Sequence, residues 1–167
     1  MTRTVNREAA LRSAVFLDRD GVLNGVEVRD GKPVPSPNVQ QMRLLPGVVE
    51  ACQRLHELGH LLVVVTNQPD LARGTQSVVE VERMHAFPRE RLPLDDIVVC
   101  PHDEVDDCRC RKPRLGMLLD TAASLGLDVS RSFCVGDRWR DIEAAKGGWS
   151  RLHLRPAPLR RTRGRRR

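Results

Sequence analysis

The chain has 167 residues, of which 40% are hydrophobic, 30% are charged and only 3% are aromatic. This length suits one domain with an aliphatic core and leaves no room for a second domain of ordinary size. No run approaches the roughly 18 apolar residues that cross a bilayer, and arginines interrupt the first dozen residues, so we expect neither a membrane span nor a signal peptide. The composition therefore predicts a cytoplasmic protein that does not associate with membranes.

The net charge of +6 is concentrated at the end of the chain. Residues 155–167 contain seven arginines and no acidic residue, which leaves residues 1–154 with a net charge of −1. This balance argues against a nucleic-acid-binding face on the folded part. We predict an N-terminal extension at 1–13, one α/β domain at 14–154, and a disordered Arg-rich tail at 155–167.

Apolar runs that alternate with helical patterns predict a parallel α/β sheet with right-handed crossovers. The predicted strands lie at 14–18, 61–65, 97–99, 132–136 and, more weakly, 151–154. Apolar residues at helical spacing predict helices at 46–59, 76–87, 113–126 and from Asp141 onward. Three prolines between residues 33 and 37 predict an irregular loop after the first strand.

The groups with chemical potential come at the carboxyl ends of these strands. Asp18 and Asp20 end the first, Thr66 the second, Cys100 the third and Asp137 the fourth. Parallel α/β sheets place their sites at this edge, so the side chains are expected to converge there. A short D-x-D motif alone would be weak evidence for a site, and the evidence comes from this common location.

Carboxylates, a hydroxyl and a lysine at one place suit Mg²⁺ and a phosphate group. Asp18, Asp137 and the backbone carbonyl of Asp20 are the candidate Mg²⁺ ligands. Asp18 could then attack phosphorus and form an aspartyl-phosphate, while Asp20 protonates the leaving oxygen and later activates water. Thr66 and Lys112 would stabilise the oxygens of the transferring group.

Four segments, in order, resemble the motifs of the haloacid dehalogenase-like (HAD) phosphatases. They are Asp18-Arg19-Asp20-Gly21-Val22-Leu23-Asn24, Thr66-Asn67-Gln68, Arg111-Lys112-Pro113 and Gly136-Asp137-Arg138-Trp139-Arg140-Asp141-Ile142. The resemblance implies a Rossmann-like three-layer HAD core with a mainly parallel sheet and no large cap domain. It implies the same catalytic roles, Mg²⁺ binding through Asp18, Asp20 and Asp137, and a supporting role for Asp141 in orienting Lys112 or a metal-bound water.

Cys100, His102, Cys108 and Cys110 have the composition of a structural zinc site. Three thiolates and one imidazole would complete a tetrahedron and leave no open position for catalysis. Because Arg111 and Lys112 follow directly, this loop would hold them towards the strand ends. It resembles the loop of one HAD subfamily, the heptose 1,7-bisphosphate 7-phosphatases and the related histidinol-phosphate phosphatases.

A small phosphorylated substrate is expected, and the residues favour a sugar bisphosphate. Ala72-Arg73-Gly74 resembles the heptose enzymes, and a second phosphate needs added cations such as Arg73 and Arg111. The short zinc loop and Gly74-Thr75-Gln76-Ser77 resemble the histidinol enzymes, which remain the alternative. Further candidate substrate contacts are Arg19, Asn24, Asn67, Gln68 and Arg138.

Two segments depart from the family pattern: Pro69-Asp70-Leu71 after Thr-Asn-Gln, and the arginine- and proline-rich sequence after Lys146. The alternative of another class is a non-enzymatic, zinc-stabilised binding protein whose Arg-rich tail contacts nucleic acid. We expect a monomeric enzyme that has no nucleic-acid partner.

Overall fold

A five-stranded parallel sheet forms the centre of the molecule in a computed structural model, which describes residues 12–29, 31–146 and 151–154. The predicted tail and residues 1–11 of the predicted extension lie outside these ranges. The elements in chain order are β1 (Ala14–Leu17), β2 (Glu27–Arg29), β3 (Lys32–Val34), α1 (Val48–Glu57), β4 (Leu61–Asn67), α2 (Val78–Arg89), β5 (Asp96–Cys100), α3 (Gly116–Leu125), β6 (Phe133–Gly136), α4 (Trp139–Ala145) and β7 (Arg151–Leu154).

The sheet has the strand order β5-β4-β1-β6-β7, with every neighbouring pair parallel. β1 lies in the middle, and all four of its residues are buried. Alternate residues of β4 face opposite sides: Val63 packs in a cluster with α3 and α4, and Val64 in a cluster with α1. A strand covered on both faces explains the unbroken apolar run of β4. The predicted parallel α/β architecture, including its weak final strand, is confirmed.

The segment predicted to be an irregular loop instead contains a small antiparallel hairpin, β2–β3, and that prediction was wrong. Val28 pairs with Pro33 in its register. A proline fits there because a two-stranded ribbon has only edge strands, where a nitrogen without a hydrogen needs no partner. The hairpin remains far smaller than a cap domain and brings Pro33 and Pro35 to the cavity described below.

Three helix boundaries also differ from the prediction. Pro88 lies inside α2, in its last turn, and does not end the helix at Phe87. The helix predicted from Pro113 begins at Gly116, whose N–H donates to the carbonyl of Arg109 at 3.1 Å. α4 begins two residues before Asp141, because the Asp141 carboxylate accepts a hydrogen bond from the backbone N–H of Arg138 and so caps the first turn. Within the described ranges, no helix has the length and apolar character needed to cross a bilayer.

His85 of α2 is a buried histidine next to charged groups. Burial, together with the positive charges of Arg19 and Arg89, lowers the pKa of its imidazole to about 4. His85 is therefore neutral in the folded protein at neutral pH.

We predict that acid destabilises the wild-type protein more than a His85→Gln variant. A histidine in the unfolded chain has a pKa of about 6.5, so between about pH 6.5 and pH 4 only the unfolded state takes up this proton. The free energy of unfolding should fall through that window, and the variant should lack this part of the loss. Urea unfolding near both ends of the window checks it, with His56→Gln, an exposed site in α1, as control. A wild-type-minus-variant difference that is independent of pH would contradict the prediction.

Candidate active site

The carboxyl ends of β1 and β4 open into a cavity of about 300 Å³. Most of the site residues predicted from the sequence line it: Asp18, Asp20, Thr66, Asn67, Gln68, Arg73, Arg111, Lys112, Arg138 and Asp141. Arg19, Asn24 and Asp137 lie behind this lining and contact it, as described below. The structure thus brings together residues from four separate segments of the chain.

The ammonium group of Lys112 is buried at the floor of this cavity. It lies 2.9 Å from Oδ1 of Asp18 and 2.6 Å from Oδ1 of Asp141, and it donates to the carbonyl of Val65 at 2.8 Å. Burial acts to lower the pKa of Lys112, but the two carboxylates outweigh it and raise that pKa above its ordinary value. The ammonium therefore stays charged and is fixed in place.

The side chain of Asn67 holds the main chain of Lys112. Its Nδ2 donates to the Lys112 carbonyl at 3.0 Å, and its Oδ1 accepts from the Lys112 N–H at 3.1 Å. Asn67 was predicted to contact substrate. The structure places it on the cavity wall and shows in addition that its side chain hydrogen-bonds to the main chain of Lys112.

The carboxylate of Asp20 is surrounded by hydrogen-bond donors. Arg19 Nη2 lies 2.8 Å from Oδ2, Asn24 Nδ2 donates to Oδ1 at 2.9 Å, and Gln68 Nε2 donates to Oδ2 at 3.2 Å. Burial acts to raise the pKa of Asp20, but the Arg19 charge and these hydrogen bonds outweigh it and hold that pKa below its ordinary value. Three side chains predicted as substrate contacts are thus engaged in orienting Asp20.

Gln68 also connects Asp20 to Thr66. Its Nε2 donates to Oγ1 of Thr66 at 2.8 Å as well as to Asp20. Both are buried, and both line the cavity. The hydroxyl of Thr66 accepts this bond through one of its two lone pairs, and its proton can be donated to a group in the cavity.

Asp18, Asp137 and Asp141 form an acidic cluster whose carboxylate oxygens can lie within 4.8 Å of one another. Burial raises the pKa of Asp18 to about 6, and it also raises the pKa of Asp137. Oδ1 of Asp137 is buried and has no hydrogen-bond partner among the residues that the structure describes. Lys112 and Arg138, whose Nε lies 3.8 Å from Oδ1 of Asp137, supply two positive charges against these three carboxylates, and the remaining negative charge favours a cation. The donor set therefore fits Mg²⁺.

Two glycines allow the acidic cluster to approach the backbone closely. A Cβ atom on Gly21, which has φ +96°, would lie 2.1 Å from Oδ2 of Asp137. A Cβ atom on Gly136 would lie 2.2 Å from the Cβ of Asp141. Any larger residue would displace these carboxylates.

Cys100, His102, Cys108 and Cys110 converge beside the cavity. Five of the six distances that join their Sγ and Nδ1 atoms run from 3.2 Å between Cys110 and Cys100 to 3.7 Å between Cys100 and His102, and all lie within 4.8 Å. Ligands about 2.3 Å from a zinc ion at the corners of a tetrahedron lie roughly 3.7 Å apart, so the cluster fits Zn²⁺ after a small expansion. Arg111 directly follows it and donates from Nη1 to the carbonyl of His102 at 3.2 Å.

Arginines line the outer part of the cavity. Arg73 makes a two-pronged contact with Asp103, with Nε at 2.6 Å and Nη2 at 2.7 Å from its oxygens. Arg140 and Arg111 both face Glu104. Arg140 and Glu104 were missed by the sequence analysis, because motif four was interpreted for its acidic residues and Arg138. Nothing local marks which loop residue meets Arg140.

A family model described as haloacid dehalogenase-like hydrolase matches residues 36–148. The chain belongs to this family.

Relatives within the HAD family are similar over most of the chain. The D-glycero-beta-D-manno-heptose-1,7-bisphosphate 7-phosphatase of Pasteurella multocida is 39% identical over 148 residues, which are 82% of this chain and 77% of that protein. The enzyme of the same name from Rhodopseudomonas palustris is 35% identical over 150 residues, which are 83% of this chain and 80% of that protein.

A solved HAD structure agrees with the fold. The D,D-heptose 1.7-bisphosphate phosphatase of B. bronchiseptica, complexed with magnesium and phosphate, matches with a TM-score of 0.73 and 33% identity, over 85% of this chain and 79% of that chain. These findings confirm the predicted family, the predicted fold and the predicted enzyme class, a phosphatase. They favour the enzyme over the non-enzymatic alternative.

We predict that Gly21→Ala lowers phosphatase activity much more than Gly47→Ala does, although the two substitutions destabilise the fold by a similar amount. Gly47 also has a positive φ, +79°, but nothing lies within 4 Å of an added Cβ, so Gly47→Ala is the matched control. Both substitutions should cost about 1–2 kcal/mol in backbone strain. Only Gly21→Ala should also displace Asp137 and lower kcat/KM for 4-nitrophenyl phosphate by about tenfold or more. Thermal unfolding and phosphate-release kinetics measure the two effects, and equal activity losses in the two variants would disprove the close-approach argument.

Proposed function

We propose that this protein is a Mg²⁺-dependent phosphomonoesterase that removes the 7-phosphate of D-glycero-D-manno-heptose 1,7-bisphosphate through an aspartyl-phosphate intermediate. The observation that carries the proposal is the buried Lys112 ammonium between Asp18 and Asp141, at the strand ends and open to a cavity. The names of the relatives favour the heptose substrate over histidinol phosphate. The proposed catalytic domain is residues 14–154, and the proposed active form is the monomer.

Asp18 is the proposed nucleophile. Lys112 binds its Oδ1, which leaves Oδ2 as the attacking atom. A new bond forms between Oδ2 and phosphorus while the bond from phosphorus to the sugar oxygen breaks. Lys112 and the Thr66 hydroxyl are placed to stabilise the phosphoryl oxygens as their charge increases.

Asp20 is the proposed general acid and base. Its lowered pKa favours the ionised form, which is the form that activates water to hydrolyse the aspartyl-phosphate. For the first step it must hold a proton, and an anionic phosphate beside it raises its pKa on binding. Arg19, Asn24 and Gln68 keep the carboxylate in one orientation for both steps.

The proposed Mg²⁺ ligands are Asp18, Asp137 and the backbone carbonyl of Asp20. When bound, the ion would screen the charge of Asp18 from the incoming phosphate. Asp141 supports the site through its 2.6 Å contact with Lys112.

Zn²⁺ is the proposed structural metal of Cys100, His102, Cys108 and Cys110. Structural zinc sites contribute about 10 kcal/mol or more of binding free energy, so the loop would fold with its metal. Since Arg111 and Lys112 follow directly, metal binding would also order two cations of the cavity.

The enzyme proposal is tested by phosphate release and an Asp18→Asn variant. Purified protein with Mg²⁺ should release phosphate from heptose 1,7-bisphosphate faster than from histidinol phosphate. Asp18→Asn should reduce release to background because an amide is not a nucleophile, whereas Asp120→Asn, an exposed site in α3, should keep wild-type activity. Acid-quenched wild-type protein should contain a phosphorylated peptide that includes Asp18.

No release from the heptose substrate, histidinol phosphate or 4-nitrophenyl phosphate would refute the enzyme proposal. Undiminished turnover by a folded Asp18→Asn protein would remove Asp18 from the nucleophile role. A faster reaction with histidinol phosphate would replace the proposed substrate.

The zinc proposal predicts about one zinc ion per chain in protein purified without chelator. Cys110→Ser should lower the zinc content and reduce both the melting temperature and the activity, because Arg111 and Lys112 lose their anchor. Cys52 is a buried cysteine in the core cluster that includes α1, whereas Cys100 lies in the cluster that includes α3 and α4. Cys52→Ser should therefore retain the metal. Elemental analysis and thermal unfolding are the measurements, and wild-type protein that contains no zinc would refute the four-ligand site.

A further inference from the structure

An ion pair joins two loops that border the cavity. Arg73 belongs to the loop after β4, and Asp103 belongs to the loop between β5 and α3, which carries Lys112. Nε of Arg73 lies 2.6 Å and Nη2 lies 2.7 Å from the two carboxylate oxygens of Asp103. Such a two-pronged contact fixes the orientation of both side chains.

The loop that carries Arg73 is braced by Asp70. The carbonyl of Asp70 accepts hydrogen bonds from the N–H groups of Thr75 and Gln76, each at 3.0 Å, and its Oδ1 accepts one from the Thr75 hydroxyl at 3.0 Å. The same Oδ1 lies 3.6 Å from Nη1 of Arg73. Asp70 is part of the segment that departs from the family pattern, and these contacts show what it does here: it closes a tight turn and orients Arg73 towards Asp103.

Asp103 is also constrained within its own loop. Its Oδ1 accepts a hydrogen bond from the N–H of Glu104 at 2.7 Å, and its N–H donates to the Asp106 carboxylate at 2.7 Å. Asp103 therefore caps the short 3-10 turn Glu104–Asp106. Its side chain is only 17% exposed, so this two-pronged pair is better fixed and better shielded than an ordinary surface ion pair.

The ion pair is connected to the reaction centre through neighbouring residues of the loop. Asp103 follows His102, whose carbonyl accepts a hydrogen bond from Nη1 of Arg111 at 3.2 Å. Arg111 directly precedes Lys112, the buried cation of the cavity floor. Arg73 lines the same cavity, but two carboxylates already face its guanidinium, so its charge is compensated before any substrate binds.

We propose that Arg73 is a positioning residue that binds Asp103 and thereby fixes the loop between β5 and α3. This loop presents Arg111 and Lys112 to the cavity. The inference rests on the proposed function, in which Lys112 stabilises the transferring phosphoryl group. Arg73 then supports catalysis through the loop, a role that differs from the direct substrate contact predicted from the sequence.

A double-mutant cycle separates the two roles. Arg73→Gln removes the ion pair from one side, and Asp103→Ser removes it from the other while keeping a good capping residue. The substrate is 4-nitrophenyl phosphate, whose only anionic group is the phosphate that reacts. Each variant should lower kcat by about three- to tenfold, because Lys112 acts in the transition state. The double variant should lose no more than either single variant, since both substitutions remove the same contact.

Hydrogen exchange followed by mass spectrometry tests the loop without any substrate. Peptides that cover residues 101–112 should exchange faster in Arg73→Gln and in Asp103→Ser than in the wild type, by about threefold or more, because local opening becomes easier. Arg83→Gln is the matched control: Arg83 is an exposed arginine of α2 that forms a 3.5 Å ion pair with Glu80, and the cavity lining does not include it. Its kcat and its exchange rates should equal those of the wild type.

Losses of activity that multiply in the double variant would assign Arg73 to direct substrate contact and overturn the inference. An unchanged kcat, or unchanged exchange of residues 101–112, in Arg73→Gln would overturn it as well, while leaving the proposed phosphatase activity in place. Wild-type protein that hydrolyses no phosphate ester would instead refute the proposed function, and the inference with it, even if the exchange rates changed as expected.

Discussion

The contact on which the site depends is the buried ion cluster of Lys112. An ammonium removed from water costs several kcal/mol unless nearby groups compensate it, and here two carboxylates and a carbonyl do so. Its partners come from three elements: Asp18 after β1, Val65 in β4 and Asp141 in α4. One cation therefore fixes the relative positions of the central strand, its neighbour and the helix that carries the motif-four acid.

Lys112 itself lies in a loop, so its own position needs a second set of constraints. The side chains of Cys100, His102, Cys108 and Cys110 come together in the loop just before Arg111. Asn67, at the end of β4, hydrogen-bonds to both the N–H and the carbonyl of Lys112. The side chain then has only to extend from a fixed backbone. This arrangement explains why a loop residue can be as firmly placed as one on a strand, which preorganised electrostatic stabilisation of a transition state requires.

Sequence patterns predicted the features that depend on neighbours along the chain. Apolar runs located the strands, and their ends located Asp18, Thr66 and Asp137. Contacts that depend on which of several possible partners a residue meets in the folded chain were not predictable in this way. The hairpin around Pro33 requires pairing with β2, and Gln68 and Asn24 lie next to a better partner, Asp20, which no local pattern reveals. The types of these residues and their positions at strand ends thus predicted which of them gather at the site. Their hydrogen-bond partners were decided by the folded structure, in which several groups compete for the same donor or acceptor.

The floor of the cavity carries an excess of negative charge, and this excess bears on how a phosphate can bind there. The carboxylates of Asp18, Asp137 and Asp141 outnumber the two cations that contact them, the ammonium of Lys112 and the guanidinium of Arg138. A phosphate without a metal would therefore be repelled from the floor. In the proposed mechanism, a divalent cation reverses the charge of the floor and makes room for a second anion there.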